Sequence, residues 1–289
     1  MTFSWMGDRA RRSATTAQTW RWDGERSEEH GDLVATEEPL EIRLIEPNGR
    51  RRTVALTMRT PGADRELALG FLFAEGIVGG LDDVVGITTG DFPEAPVALI
   101  NGAEVELVAD LAEALPSLER HFFATSACGV CGKAGLEALS VRGTRPIASG
   151  LVVDPAVISS LPEKLRAAQG VFATTGGLHA AALFDREGHL LAVREDVGRH
   201  NALDKLIGWG LETGAVPFHD RIVLVSGRSS YEILQKSLAA GAPIVAAVSA
   251  PSSLAVELAR RFGVTLLGFV RGSRFNVYSA PERLAALKD

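Results

Sequence analysis

The last third of the sequence predicts an α/β fold built on a parallel sheet. Three predominantly apolar runs alternate there with two helical segments, in the order Ile222–Val225, Tyr231–Ala240, Ile244–Val248, Leu254–Phe262 and Val264–Val270. This alternation is typical of β-α-β units whose strands are covered on both faces. The first third instead has short strands of alternating polarity, so the chain as a whole is expected to be α+β.

The N-terminal third begins with a polar segment and continues with a β-hairpin. Residues 1–30 are rich in Arg, Ser, Thr, Glu and Gly without a sustained period, which predicts a flexible tail with Trp20 and Trp22 docked near its end. Apolar residues then alternate with polar ones in Leu40–Leu44 and in Val54–Met58, on either side of Asn48-Gly49. An Asn-Gly pair between two such runs predicts a hairpin with a tight turn.

A helix and a second hairpin complete this small unit. Asp64 is placed to cap a helix that continues to Ala74 and stops at Gly76. A second Asn-Gly pair, Asn101-Gly102, is expected to join two further strands of an antiparallel sheet. We therefore divide the chain into a tail (1–30), a small α+β subdomain (31–120) and a larger α/β domain (121–289).

The middle of the chain leads into the parallel sheet. Pro155–Gln169 is expected to be a helix closed by Gly170, and Asp185–Gly188 a turn before the strand Leu190–Val193. A prior of roughly one domain per 150 residues agrees with two domains in 289 residues.

Composition excludes several functional classes. The net charge of −6 is spread without long acidic or basic blocks, which gives no reason to expect nucleic-acid binding. No signal peptide and no apolar stretch long enough to cross a bilayer is found in the sequence. Two cysteines do not make a disulfide framework, so the simplest expected location is a reducing cytoplasm.

Both cysteines lie in one short motif, Thr125–Lys133, as Cys128-Gly-Val-Cys131-Gly-Lys133. Thiols three positions apart can form a disulfide or share a ligand, and the flanking glycines allow unusual backbone angles. The helical segment that follows and the charge of Lys133 both favour thiolate over thiol, and the thiolate is the nucleophile. The motif therefore predicts a reactive, accessible sulfur at Cys128 or Cys131.

Other interpretations of the cysteine pair compete with that one. A structural zinc site needs about four ligands, so two histidines from elsewhere would have to complete it. A deaminase-type zinc site needs H-x-E with P-C-x-x-C, and the nearest analogue, His179-Ala180-Ala181, lacks the glutamate. A thioredoxin-like redox pair remains open, although such motifs occur early in their chains. Two inert buried cysteines fit poorly with the glycines. We expect no resident metal.

The ends of the three C-terminal strands are built from Ser, Gly and Arg. The loops are Ser226–Ser230, Ser249–Ser253 and Arg271–Arg274, and two of them run directly into helices. Ligands of open α/β sheets bind beyond the carboxyl ends of the strands, where helix N-termini and arginines suit phosphate. N-capping serines could explain each loop separately. They do not explain the arginines Arg228, Arg271 and Arg274.

Two further segments have alternative interpretations. His179 follows Thr175-Gly176-Gly177, and it is either a packing residue or a member of the reaction centre. The run Arg194–Lys205 is the densest polar stretch, with five polar residues at a strand-to-helix junction that helix capping alone does not explain. They are Glu195, Asp196, Arg199, His200 and Asn201. The alternative to a solvated surface is a role in binding a ligand, either by direct contact or by supporting the residues that contact it.

Taken together, these motifs resemble a known family. Thr125–Lys133, Thr175–Ala180, Glu195–Lys205, Ser226–Ser230 and Arg271–Tyr278 occur in the order found in the formate dehydrogenase accessory sulfurtransferase family, FdhD. The resemblance covers residues 33–284, and several long motifs in order are far more specific than one C-x-x-C. It implies a cytidine-deaminase-like, three-layer C-terminal domain without the deaminase zinc ligands. The residues before Asp32 lie outside this resemblance.

The resemblance also implies an activity. Family members are sulfur carriers: a cysteine desulfurase loads a persulfide onto the cysteine loop, and the sulfur passes to the metal of the bis(molybdopterin guanine dinucleotide) cofactor before that cofactor enters formate dehydrogenase. The persulfide cysteine corresponds to Cys128, with Cys131 as a relay or resolving thiol. The cofactor-binding segment corresponds to Phe269-Val270-Arg271-Gly272-Ser273-Arg274, to which we add Arg228 and Ser229. The family forms homodimers, so a homodimer is expected.

Two other functions remain open at this point. A thiol-disulfide oxidoreductase would use the cysteine pair but would give no purpose to the arginines. A non-catalytic chaperone that delivers the cofactor would depend on the arginines and not on the cysteines. The sequence does not distinguish molybdenum from tungsten, and it does not identify the client enzyme or the dimer interface.

Overall fold

The computed structural model describes residues 13–91, 101–111 and 146–285. These residues form three sheets with twelve strands and six α-helices, which confirms the expected α+β class. The strands are β1 (Ala14–Trp22), β2 (Ser27–Ala35), β3 (Glu38–Ile45), β4 (Arg51–Arg59), β5 (Val84–Asp91), β6 (Asn101–Leu107), β7 (His179–Phe184), β8 (Leu190–Asp196), β9 (Ile222–Val225), β10 (Ile244–Ala247), β11 (Thr265–Arg271) and β12 (Arg274–Ser279). The helices are α1 (Asp64–Ala74), α2 (Pro155–Ala168), α3 (Gly170–Thr175), α4 (Arg199–Glu212), α5 (Tyr231–Ala239) and α6 (Ser253–Phe262).

The largest sheet has six strands in the order β12-β11-β10-β9-β7-β8. Strands β9, β10 and β11 are parallel, as predicted, and the other neighbours pair antiparallel. One face packs on α4, α5 and α6, and the other packs on α2. Because helices cover both faces, all eight residues of β9 and β10 are buried, which explains their continuous apolar sequence. The C-terminal domain therefore has the predicted three layers.

The second sheet has four strands in the order β4-β3-β6-β5, with α1 packed on its core face. Its β3–β4 hairpin around Asn48-Gly49 is confirmed. The expected second turn is wrong, because Asn101 and Gly102 begin β6 and pair with β3. That pairing is parallel, so the sheet is mixed and not antiparallel as predicted. The turn preference of an Asn-Gly pair is weaker than the pairing of β6, a central strand that is bonded to neighbours on both sides.

The prediction of a flexible tail over residues 1–30 is wrong for residues 14–30. They form the hairpin of β1 and β2, which is a separate two-stranded sheet. Trp20 and Trp22 are not docked on the chain, since they are 70% and 65% exposed. These strands could not be recognised from the sequence because the residues on both of their faces are largely polar. Apolar and polar residues therefore do not alternate along them, and that alternation is the usual signal of a strand.

Helix α1 begins differently from the prediction. Its N-cap is Ala63, in the left-handed region at φ 55°, and Asp64 makes no cap. Asp64 instead accepts two hydrogen bonds from the fully buried Arg59, at 2.8 and 2.9 Å. A bidentate pair satisfies a buried guanidinium that would otherwise be costly. The helix ends before Gly76, which has φ 71° as expected of a residue after a helix.

The helix over Pro155–Gln169 is confirmed as α2, but Gly170 does not simply end it. Gly170 is the first residue of the short helix α3, which runs to Thr175. The carboxylate of Glu195 accepts hydrogen bonds from the amides of Val171 and Phe172 at 3.0 and 2.8 Å. A carboxylate at a helix N-terminus stabilises the first turn, so a distant residue supplies the signal that the local sequence lacks.

Helices α1 and α4 join the two larger sheets. They cross with backbone in contact, since a Cβ on Gly70 would overlap the carbonyl oxygen of Asp204 and a Cβ on Gly208 would overlap that of Glu66. Only glycine permits so close an approach. The order of layers is therefore small sheet, α1, α4 with its neighbours, large sheet and α2. In the described ranges no helix is long and apolar enough to cross a membrane.

A buried charge cluster lies beside this crossing. Lys236 of α5 is 2.8 Å from the carboxylate of Asp204 on α4 and 3.5 Å from that of Glu75 at the end of α1. Two carboxylates share one ammonium group, and burial outweighs the attraction of Lys236 in raising the pKa of Asp204 to about 6. The same pair raises the pKa of Lys236, so its ammonium stays charged, although burial opposes that charge.

Asp204 should make the protein less stable as the pH rises from about 4 to about 6. Its pKa is raised in the folded state, so the folded protein holds a proton that the unfolded chain releases near 3.8. That stabilisation is complete below the unfolded pKa and is lost as the pH passes the folded pKa. A shift of about two units corresponds to about 3 kcal/mol. We expect urea unfolding at several pH values to show this decrease in the free energy of unfolding in the wild type and not in Asp204→Asn.

The difference between the two curves isolates Asp204 from other carboxylates. Asp82→Asn, at an exposed position, serves as the control and should leave the pH dependence of the unfolding free energy unchanged. An unchanged pH dependence in Asp204→Asn would contradict the raised pKa.

Candidate functional site at the carboxyl edge of the large sheet

One edge of the six-stranded sheet collects most of the polar motifs of the sequence. The carboxyl ends of β8, β9, β10 and β11 lie along it, together with the first residue of β7. We call it the carboxyl edge. In open α/β sheets this is the edge at which ligands bind.

The loops after β9 and β10 are joined to each other at this edge. The amide of Ser229 donates to the carbonyl of Ala250 at 3.2 Å, and the amide of Ser252 donates to the carbonyl of Ser229 at 2.9 Å. Both loops lead directly into helices, α5 and α6, as predicted. Two helix N-termini therefore lie side by side, and Arg228 is exposed next to them.

The serines of these loops have different roles. Ser230 caps α5 by accepting from the amide of Ile233, and Ser252 caps α6 by accepting from Ala255. Helix capping therefore accounts for Ser230 and Ser252, which agrees with the interpretation of the loop serines as N-caps. Ser229 is fully buried, and its hydroxyl makes no hydrogen bond to any part of the chain that the structure describes. A buried hydroxyl without a partner is a candidate for binding a ligand.

His179 starts β7 at the same edge. A Cβ on Gly227 would lie 3.3 Å from its Nδ1 and 3.6 Å from Cδ of Arg199, so the three residues are neighbours. Burial, followed by the positive charges of Arg199 and His200, lowers the pKa of His179. The imidazole is therefore neutral at pH 7. The Nε of Arg199 is buried without a hydrogen bond among the described residues.

His200 connects the first turns of α4 and α5. Its Nε2 lies 2.8 Å from a carboxylate oxygen of Glu232 and 3.2 Å from the hydroxyl of Ser230. The hydrogen bond from His200 is the main cause that lowers the pKa of Glu232. His200 is thereby held in place, while Arg199 beside it retains donor capacity.

Three members of the polar run have structural partners instead. Glu195 caps α3, as described above. Asp196 is fully buried; it lies 2.7 Å from Nζ of Lys205 and accepts from the amide of Thr60 at 3.1 Å. Asn201 donates to the carbonyl of Met58 at 2.8 Å. These three support the structure around the site, and Arg199 and His200 are the members that face the carboxyl edge loops.

The predicted cofactor-binding segment forms the turn between β11 and β12. Arg271 and Arg274 are paired across this turn, and both are exposed. Phe269 has φ 55° and is 47% exposed, while its amide donates to the carbonyl of Ser249 at 3.1 Å. A bulky residue with positive φ costs about 1–3 kcal/mol and occurs mostly at functional sites. Val270 is fully buried and belongs to the core.

A cavity of about 690 Å³ lies between the start of α2 and the β11–β12 turn. Arg274 and Ser273 line it, so these residues face the side of the sheet covered by α2. Arg228 follows β9 and Arg271 ends β11, and these strands are parallel, so both arginines lie at the carboxyl edge, and Arg274 pairs with Arg271 across the turn. The remaining lining residues are Pro155, Ala156, Ser159, Phe275 and Asn276.

The cysteine motif lies outside the described residues. Cys128 and Cys131 fall in 112–145, and so does the helix predicted after them. Their place relative to the carboxyl edge stays a prediction.

Comparison with known proteins identifies the family. Residues 35–285 match the FdhD/NarQ family, which is most of the chain. The chain belongs to the FdhD/NarQ family. A relative from Streptomyces avermitilis named sulfur carrier protein FdhD is 49% identical over 262 residues, covering 88% of this chain and 89% of the relative. A relative of the same name from Sulfolobus acidocaldarius is 47% identical over 253 residues, covering 88% and 91%.

A solved structure supports the FdhD/NarQ fold. It is the crystal structure of a Desulfotalea psychrophila protein with a provisional assignment as a formate dehydrogenase accessory protein. The TM-score is 0.72 at 25% identity, and the match covers 94% of this chain and all of the other. The FdhD/NarQ family match begins at residue 35, so β1 and most of β2 lie before it.

Sequence reasoning missed the residues that α2 contributes to the cavity. Asp154 caps α2 by accepting from the amide of Ala156, and Pro155 is the first residue of the helix, which is an ordinary position for proline. No local pattern shows that this helix start faces the β11–β12 turn. The contact is set by tertiary packing alone.

We expect Ser229 and Ser252 to respond oppositely to replacement by alanine. Ser252→Ala removes a helix cap and should lower the free energy of unfolding by about 1 kcal/mol. Ser229→Ala removes a buried hydroxyl that makes no bond within the chain, so stability should be unchanged or higher. Urea unfolding of the two variants beside the wild type measures both. An equal loss in both would show that Ser229 is a structural residue.

Proposed function

We propose that this chain is a sulfur carrier that serves a formate dehydrogenase. The observation that carries the proposal is its identity of 49% over 88% of its length to relatives named sulfur carrier protein FdhD. The Desulfotalea psychrophila neighbour supports the accessory role. The sulfur comes from a cysteine desulfurase, and the recipient is the molybdenum or tungsten of the bis(molybdopterin guanine dinucleotide) cofactor. Reduced thiols are needed, which is why we place this activity in the cytoplasm.

The first step is a persulfide exchange at Cys128. Its thiolate attacks the outer sulfur of the persulfide on the desulfurase, which forms the new S–S bond. The bond between the two donor sulfurs breaks, and the donor cysteine leaves as a thiolate. No oxidant is consumed. Lys133 and the predicted helix start favour the Cys128 thiolate.

The bis(molybdopterin guanine dinucleotide) cofactor is a substrate in this proposal and carries diphosphate groups. The residues at the carboxyl edge fit such a group. Adjacent starts of α5 and α6, the exposed Arg228, and buried Ser229 Oγ and Arg199 Nε without partners in the described chain offer donors to phosphate oxygens. Neutral His179 adds no charge there and can accept or donate a hydrogen bond.

The β11–β12 turn supplies a second set of contacts for the same substrate. Arg271 and Arg274 are exposed on it, and Phe269 offers an exposed ring beside the β10–α6 loop. Arginine pairs with phosphate, and an aromatic ring can stack on a base. Binding at a fixed place converts the transfer from a two-body reaction into a local one.

Cys131 has two possible parts in the transfer. As a relay it accepts the outer sulfur from Cys128 by the same exchange. As a resolving thiol it attacks the inner sulfur of the Cys128 persulfide, which releases sulfide and forms the Cys128–Cys131 disulfide. That disulfide must then be reduced by a dithiol before the next cycle.

Loading should depend on Cys128. After incubation with a cysteine desulfurase and cysteine, the intact mass of the wild type should increase by one sulfur atom, and this increase should disappear on treatment with a thiol. Cys128→Ala should show no added sulfur, because the accepting thiolate is gone. In a strain that lacks the native gene, Cys128→Ala should not restore formate dehydrogenase activity.

Ser126→Ala, in the same motif, is the matched control and should load like the wild type. Full formate dehydrogenase activity with Cys128→Ala would overturn the carrier role and favour a cofactor-delivery chaperone. Rapid reduction of protein disulfides by the wild type would favour a thiol-disulfide oxidoreductase.

Binding of the diphosphate should depend on Arg228. Guanosine diphosphate is the terminal part of the proposed substrate and serves as the probe in calorimetry. Arg228→Ala should weaken binding about tenfold, because a charge-assisted hydrogen bond is worth about 1.5–3 kcal/mol. Arg186→Ala is the matched control, since Arg186 is exposed in the turn at the opposite edge of the sheet. Equal affinity for both variants would remove Arg228 from the site.

A further inference from the structure

The imidazole of His179 has a fixed place at the carboxyl edge. The start of its strand is joined to the loop after β9, because the amide of Ala180 donates to the hydroxyl of Ser226 and the amide of Ser226 donates to the carbonyl of Ala180, both at 2.9 Å. The ring itself is half-buried and makes no hydrogen bond with any residue that the structure describes. It is therefore held beside the proposed diphosphate site with ring nitrogens available to a ligand.

The surroundings of this ring are mostly positive. Arg199 and His200 act on it from the first turn of α4, and Arg228 lies in the loop after β9. Asp196 is its cross-strand partner on β8, but the oxygens of that carboxylate already bind Lys205 and backbone amides. The surroundings therefore suit an anion and disfavour a proton on the ring while the site is empty.

Two buried donors close to the ring lack partners. The hydroxyl of Ser229 and the Nε of Arg199 are buried without a hydrogen bond in the described ranges, and Gly227, two residues before Ser229, lies against the ring. Glu232 on α5 does not supply the missing negative charge, since its carboxylate pairs with His200 at 2.8 Å. An anion bound by these donors would satisfy both of them and would place its negative charge close to the imidazole.

We propose that His179 takes up a proton from solvent when a diphosphate binds at the carboxyl edge, and that the resulting imidazolium donates a hydrogen bond to the ligand. This inference rests on the proposed function, which assigns a diphosphate to this edge. It goes further by making binding and release depend on a proton at one named ring.

The charge of the ring changes because the ligand reverses the sign of its surroundings. In the unliganded protein burial and then the charges of Arg199 and His200 lower the pKa of His179, so the ring is neutral. The two negative charges of the diphosphate oppose those two positive charges. They raise the pKa of His179 in the complex, because a nearby opposite charge favours the charged form of a group.

The interaction is large enough to protonate the ring near neutral pH. One unit charge at about 5 Å, in a medium of effective dielectric constant about 20, moves a titration midpoint by about two pH units. The complex then holds more protons than the separate partners, so the affinity falls as the pH rises. One linked proton changes the affinity by up to about tenfold for each pH unit.

The test follows the histidine rings of the full chain by NMR as the pH is changed. The probe is diguanosine 5′,5′-diphosphate, because both of its phosphates are diesters, whereas a terminal phosphate itself titrates near pH 6. The resonance of His179 is assigned by its absence from His179→Gln. We expect its titration midpoint to rise by at least about one pH unit between the free wild type and the wild type saturated with the probe.

The two proposals fail in different ways in this experiment. An unchanged midpoint at saturation would overturn the proton uptake and leave the diphosphate site in place. A probe that does not bind at all would remove the diphosphate site of the proposed function, and this inference with it.

Calorimetry with the same probe gives a second measurement. In buffers of different ionisation enthalpy the wild type should take up protons on binding, and its affinity should fall at least about fivefold from pH 5.5 to pH 8. His179→Gln keeps a side chain that forms hydrogen bonds but cannot titrate, so both effects should be lost. A purely structural role of His179 would instead lower the affinity equally at every pH.

His189→Gln is the matched control, since His189 is exposed at the opposite edge of the sheet. It should bind the probe with the proton uptake and pH dependence of the wild type. If His179→Gln also kept the wild-type pH dependence, the proton would belong to another group and the inference would be refuted.

Discussion

A buried carboxylate at the end of β8 holds the site in place. Asp196 is fully buried, and it binds the ammonium of Lys205, the amide of Thr60 and the amide of Gly198. Burying a carboxylate is costly unless its oxygens are satisfied, and here they have charged and neutral donors from both halves of the chain. One residue thus fixes the connection after β4 and the start of α4. Arg199 and His200 follow directly, so their positions depend on it.

The large sheet could be predicted because its environment is uniform. Both faces of β9, β10 and β11 are covered, so burial alone determines their composition, and it appears in the sequence as apolar runs. The hairpin of β1 and β2 could not be predicted in this way, since its exposed strands carry no alternation of hydrophobicity. Asn101-Gly102 was misjudged for a related reason. A turn preference worth little energy is overridden when the strand is paired on both sides.

The candidate site was predictable in location but not in the division of roles. The rule that ligands bind at the carboxyl ends of strands selected the loops after β9 and β10, and the structure places these loops side by side at one edge. It could not separate Ser229 from Ser230, because that difference lies in which hydroxyl has a helix amide within reach. Asp196 and Asn201 looked like ligand residues since their partners, Thr60 and Met58, lie more than a hundred positions away, at separations of 136 and 143.

The glycine crossing of α1 and α4 has a mechanical consequence. Gly70 and Gly208 bring the two helix backbones together with no side chains between them. Side chains can change rotamer and absorb a displacement, but backbone in direct contact cannot. A residue larger than glycine at either position would have to push the two helices apart, because no rotamer change can relieve an overlap with backbone atoms. The separation between the four-stranded sheet and the helix that carries Arg199 and His200 is therefore set by two missing side chains.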